Sequence, residues 1–89
     1  YLGEAQKAIE YYEKALGIDL KVFGDKHRNV ARDCNNLGSS YSTLGEAQMA
    51  MEYFEKALII LSEVYGDDHP KTKFVKKNLQ MIKDKKGNE

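Results

Sequence analysis

The chain has no tryptophan, one proline and one cysteine. The lone thiol, Cys34, cannot close an internal disulfide, so no covalent staple supports these 89 residues. Such sparing use of cysteine suits a reducing, cytoplasmic compartment. No apolar run approaches the roughly 18 residues a membrane span requires. The first residues also lack the basic-then-apolar layout of a signal peptide. Net charge is zero, which removes any bulk attraction to nucleic acid or anionic lipid. The balance conceals an asymmetry: residues 45–70 hold one lysine against six acids, and residues 71–89 hold seven lysines against two. Acidic and basic ends of this kind suit head-to-tail stacking. Apolar residues at 42% and charged residues at 31% are the mix of a folded chain rather than a disordered one.

What the chain does have is an internal repeat. Residues 1–28 return, shifted by 42, as residues 43–70, with 17 of the 28 pairs identical. Leu2-Gly3-Glu4-Ala5-Gln6 becomes Leu44-Gly45-Glu46-Ala47-Gln48, and Gly24-Asp25 with His27 becomes Gly66-Asp67 with His69. A period of this size marks stacked units that cannot bury their apolar faces alone.

Apolar residues recur at three- and four-residue spacing throughout, and no strand alternation competes. A first helix over about Glu4–Val22 carries Ala5, Ala8, Ile9, Tyr12, Ala15, Leu16 and Leu20, and Gly24 stops it. Gly17 falls mid-helix where the second copy has Ile59, at a cost of about 1 kcal/mol relative to alanine. A second helix over about Arg28–Thr43 carries Val30, Ala31, Cys34, Leu37, Gly38, Tyr41 and Leu44 on one stripe, and Gly45 allows a tight turn. A third, Glu46–Tyr65, repeats the first with Ala47, Ala50, Met51, Phe54, Ala57, Leu58 and Leu61. A fourth opens at Pro70, since proline suits the first helical position. Only Val75, Leu79 and Ile82 form its stripe, and residues 83–89 read as a solvated tail.

A 42-residue period alone fits several helical repeats, HEAT and armadillo types included. Residue identity decides. Leu37-Gly38, Tyr41, Gly45, Ala50, Phe54 and Ala57-Leu58 stand at the spacings of the tetratricopeptide signature, which the chain resembles over nearly its whole length. Gly38, Ala50 and Ala57 are small enough for two helices to approach closely, with Tyr41 and Phe54 filling the space around them. Ser62 stands where a 34-residue unit usually has proline, and the helix runs on to Tyr65. That extension, with Tyr-Gly-Asp-Asp-His-Pro at 65–70 and Asn35-Asn36-Leu37, resembles the 42-residue repeats of kinesin light chain and related metazoan scaffolds.

The resemblance implies an all-α solenoid fragment of four antiparallel helices curving as a right-handed superhelix. Residues 1–24 would be the second helix of one repeat. Residues 28–66 would be a complete helix-turn-helix repeat, 70–86 a polar capping helix, and 87–89 a tail. Function would be protein–protein interaction, with partner peptides held in a concave groove. Arg32, Asn35, Asn36, Ser39 and Ser42 lie off the second helix's apolar stripe, and Lys77 and Asn78 repeat Asn35 and Asn36 one unit later. A carboxamide can donate to and accept from one peptide unit. The resemblance assigns that grip to Asn36 and Asn78. The competing expectation is a structural or self-association segment with no ligand of its own. In that reading a homodimer covers the Ala8, Tyr12 and Ala15 face of the first helix.

No enzyme chemistry is expected. His27 and His69 occupy equivalent turn positions, too far apart to share a metal, and are expected to trim helix starts. Cys34 lies on the apolar stripe as a small hydrophobe with no neighbouring base. The lysines of the last helix lack interleaved aromatic stacking platforms, so no nucleic acid is expected. No cofactor, metal or membrane partner is implied.

Overall fold

The computed structural model describes residues 2–87. They form four helices: α1 (Leu2–Phe23), α2 (Arg28–Thr43), α3 (Ala47–Tyr65) and α4 (Pro70–Gly87). Each helix packs antiparallel on the next, in a slab of 36 × 30 × 17 Å.

The turns explain where the helices stop. Gly24, Gly45 and Gly66 hold φ of 82°, 81° and 91°, a left-handed backbone that glycine adopts without a Cβ penalty. Gly24 and Gly66 each donate an N–H at 3.0 Å to the last helical turn, at Leu20 O and Ser62 O. Three residues later a histidine begins the next helix. His27 Nδ1 accepts the Asn29 N–H, and His69 Nδ1 accepts the Lys71 N–H, both at 3.1 Å. Each ring also stacks on the aromatic residue that closed the preceding helix. Phe23 lies 4.1 Å from His27 and Tyr65 lies 4.3 Å from His69, centroid to centroid. One five-residue device therefore makes both long-period corners.

The core runs between α2 and α3 and on to α4. Val30, Ala31 and Cys34 meet Ala50, Phe54, Ala57, Ile60 and Leu61, and Val75 and Leu79 close the far side. Gly38 is buried, and a Cβ built on it would stand 2.7 Å from two carbons of the Phe54 ring. α1 joins through Ala5, Ile9 and Leu16, and the Tyr41 hydroxyl donates to Glu13 at 3.1 Å.

Several expectations need correction. α1 begins at Leu2, two residues before the expected start at Glu4, so Leu2-Gly3 is helical. Leu20 is exposed, because it lies at the mouth of an open cleft with Leu16, Val30 and Cys34 rather than under a covering helix. α4 continues to Gly87, so residues 83–87 are helical rather than a tail, and Gln80 Nε2 donates to Asp84 at 2.9 Å on that extension. Residues 88 and 89, and Tyr1 at the other end, lie outside the described residues. Gly17 is exposed with nothing near its Cβ position, so its side-chain loss opens no hole in the core.

Candidate interaction surface

α2 and α4 both follow a His-capped corner, and their first turns diverge around the end of α3. The result is a cleft of about 590 Å³. Its floor is Ala31, Leu61, Tyr65 and Val75. Arg28, Asn29, Arg32 and Asn35 form one wall, and Pro70, Lys71 and Phe74 the other. Arg28, Arg32 and Lys71 bring three cations to it, and among the described residues no carboxylate lines it. Phe74 is 59% exposed, an apolar anchor open to the cleft. Lys71 is placed over the Tyr65 ring, with Nζ 5.4 Å from its centroid.

Arg32 is held from behind. Its guanidinium donates to Asp19 Oδ2 at 3.4 Å and lies 3.6 Å from Asp33 Oδ1. Asp33 is only 2% exposed. Burial, and after it the hydrogen bond and charge of Asp19, push its carboxyl up to about 6, against the opposing pull of Arg32. Its Oδ2 is buried with no hydrogen-bond partner, and so is Asn35 Oδ1. No hydrogen bond fixes the Asn35 oxygen, so that carboxamide can turn toward a ligand without breaking one.

A second, smaller cleft of about 180 Å³ lies farther along the same pair of helices. Ser39, Ser42, Phe54, Asn78, Met81 and Ile82 line it. The seven polar residues singled out from the sequence therefore separate. Arg32 and Asn35 share the first cleft, and Ser39, Ser42 and Asn78 share the second. Half-buried Asn36 and exposed Lys77 line neither. Asn36 and Asn78 are equivalent in the repeat but not in surroundings. Tyr65, Pro70, Lys71 and Phe74 were not anticipated as a group. The signal was present in the Tyr65–Pro70 segment and in Phe74, which stands where the previous unit has Arg32. Buried Asp33 was missed because an acid reads as solvated, although its repeat partner, Val75 on the apolar stripe of α4, marked the position as buried.

Other reactive side chains are committed to structure. Both histidine Nδ1 atoms accept helix N–H groups. Burial, reinforced by Asp33 and opposed by Lys56, pushes the Cys34 thiol up to about 11. A thiol so placed stays protonated and unreactive. Among the described residues, no group of three or more histidine, cysteine or acidic side chains could hold a metal ion. Nor is any helix long and apolar enough to cross a membrane.

Comparison with known proteins returns one family. A family model described as tetratricopeptide repeat matches residues 1–58, which span α1, α2 and the first part of α3. No curated protein matches the chain. Domains of that family generally mediate protein–protein interaction and are typically non-enzymatic scaffolds. The match, the four helices and the small-residue contacts at Gly38, Ala50 and Ala57 agree, and the chain belongs to the tetratricopeptide repeat family.

Proposed function

We propose that the chain captures an extended acidic segment of a partner protein in the α2–α4 cleft. One observation carries this reading. Arg28, Arg32 and Lys71 surround an apolar floor with no lining carboxylate among the described residues, and Phe74 stands exposed beside them. An anionic peptide with one apolar or aromatic residue matches that arrangement. The cations attract and orient it, and the anchor supplies buried contact. The Asn35 carboxamide would pair with a ligand peptide unit. Ser39, Ser42 and Asn78 in the second cleft would extend the track.

The 42-residue period and the long α3 support placing the chain with the kinesin light chain type of repeat, and the single buried thiol suits a cytoplasmic setting. The rival reading, a self-association segment, draws on the exposed apolar face of α1.

The test is a fluorescence-anisotropy titration of acidic peptides containing one aromatic residue, beside charge-reversed counterparts. Arg28→Ala with Lys71→Ala should remove binding of the acidic set while melting stays within a few degrees. Equal binding of both peptide sets, or undiminished binding by the double variant, would count against the cleft. Asn36→Ala with Asn78→Ala, measured alongside, reports whether the repeat-related asparagines contribute.

A further inference from the structure

The repeat builds one node twice, from different chemistry. Leu61, Phe74 and Val75 are the second copies of Asp19, Arg32 and Asp33. Between α3 and α4, Leu61 and Val75 are buried and floor the α2–α4 cleft, with Phe74 beside them. Between α1 and α2 the same three places hold two carboxyls and a guanidinium. The apolar version shows that helix packing at this node does not require ions.

The ionic version is poised between two arrangements. Arg32 Nη2 lies 3.4 Å from Asp19 Oδ2 and 3.6 Å from Asp33 Oδ1. Both carboxyls are largely covered, whereas the Arg32 side chain is 60% exposed and also lines the α2–α4 cleft. The guanidinium can lie back on the carboxyls or out over the cleft. Asp33 Oδ2 is buried without a donor. A proton relieves that cost, because a protonated carboxyl becomes a donor, and Asp19 is placed to accept it. Burial and Asp19 favour the protonated form of Asp33, and Arg32 opposes it. Proton and guanidinium therefore compete for one pair of carboxyls. The other titratable groups nearby act elsewhere. Cys34, next on α2, keeps its proton, and Lys56 of α3 acts on that thiol. Arg28 and, from α4, Lys71 line the cleft. His27 and His69 cap their helices through Nδ1.

We propose that Asp19 and Asp33 are positioning residues for Arg32: ionised together they draw its guanidinium back from the α2–α4 cleft, and a proton shared between them releases it into the cleft. Arg32 then joins Arg28 and Lys71 there, so an acidic segment binds more tightly as pH falls. This rests on the reading of the cleft as a site for an acidic segment and deepens it by making occupancy proton-linked. Linkage is reciprocal: a bound acidic segment that holds Arg32 forward makes Asp33 take up its proton more readily.

The test has two readouts, and the first needs no ligand. Carbon-13 NMR follows the Asp33 carboxyl from pH 4 to pH 8, and nitrogen-15 NMR follows the Arg32 Nε–H signal, in a chain whose arginines are Arg28 and Arg32 alone. Both signals should move with one midpoint, and Asp33→Asn or Asp19→Asn should flatten the Arg32 curve. The second readout is an anisotropy titration with acidic peptides carrying one aromatic residue, at pH 5 and pH 7.5. Peptide glutamates, ordinarily near about 4.3, stay mostly ionised at both. The parent should bind about fivefold or more tightly at the lower pH. Asp33→Asn should bind at both values as the parent does at pH 5, to within about twofold. That variant keeps both histidines, so full retention of the parental pH dependence overturns the proposal. An Arg32 signal that ignores the Asp33 midpoint overturns it as well. An Arg32 signal that follows Asp33, with no peptide bound at either pH, supports the release of Arg32 and removes the acidic-segment reading of the cleft instead.

Discussion

The Phe54 ring lies so close to Gly38 that a single added carbon would stand 2.7 Å from two of its atoms. The two residues are the centre of the α2–α3 contact, and both are buried. Ordinary carbon contacts are about 3.5–4.0 Å, so any side chain at position 38 must displace a buried aromatic ring.

That relationship predicts the effect of Gly38→Ala and Gly38→Leu. Alanine favours the helix by about 1 kcal/mol, and overpacking opposes it by about 1–3 kcal/mol. The alanine variant should melt somewhat below the parent. The leucine variant should fall by roughly 5–15 °C for a domain of this size. Thermal circular dichroism reads this directly, and a leucine variant that melts with the parent would contradict the close pairing.

Asp33 should make stability depend on pH. Its carboxyl is raised to about 6 in the folded chain, above the ordinary 3.8, so the folded state binds more protons than the unfolded one. Stability contributed by the protonated group is complete below about pH 4 and is lost as pH rises through about 6. Asp33→Asn keeps the shape without the ionisation. It should gain about 1–3 kcal/mol over the parent at pH 7.5 and nothing at pH 3.5. Urea melts at the two pH values give the difference, and an equal effect at both would refute the assignment.

The histidine corners should be interchangeable in kind. His27→Ala and His69→Ala each remove an N-cap worth about 1 kcal/mol and a ring contact worth about 0.5–1.5 kcal/mol. Asparagine restores the cap without the stack, so His27→Asn should fall between parent and alanine. Hydrogen exchange would localise the loss. Faster exchange at Asn29 and its neighbours is expected, with α3 amides little changed.

Phe74 offers a test that separates binding from folding. It is largely exposed, so Phe74→Ala should shift the melting temperature by less than about 3 °C. It should nonetheless weaken an acidic peptide in the α2–α4 cleft by about tenfold or more, the scale of an aromatic anchor. Isothermal titration beside a melt distinguishes the two. A variant that binds like the parent removes Phe74 from the site.

Four helices, their turns and the small residues between them were readable before any coordinates. Each rests on interactions within a few residues: a three-and-four spacing of apolar side chains, a glycine free to take positive φ, a histidine before a helix. The repeat reinforced every reading by showing it twice. Repetition also misled: it suggested that Asn36 and Asn78 act alike, yet their neighbours differ.

What the amino-acid order determined alone was the family, the helix count and the face each helix turns inward, because hydrophobic period and turn chemistry act locally. Only the tertiary structure decided that Arg32 and Phe74 share a cleft, that Asp33 is buried and that Leu20 is not. Those outcomes depend on how α1, α2 and α4 are rotated and splayed against one another. No single helix encodes that rotation; it is the compromise reached when Gly38, Phe54 and the corner histidines are all packed at once.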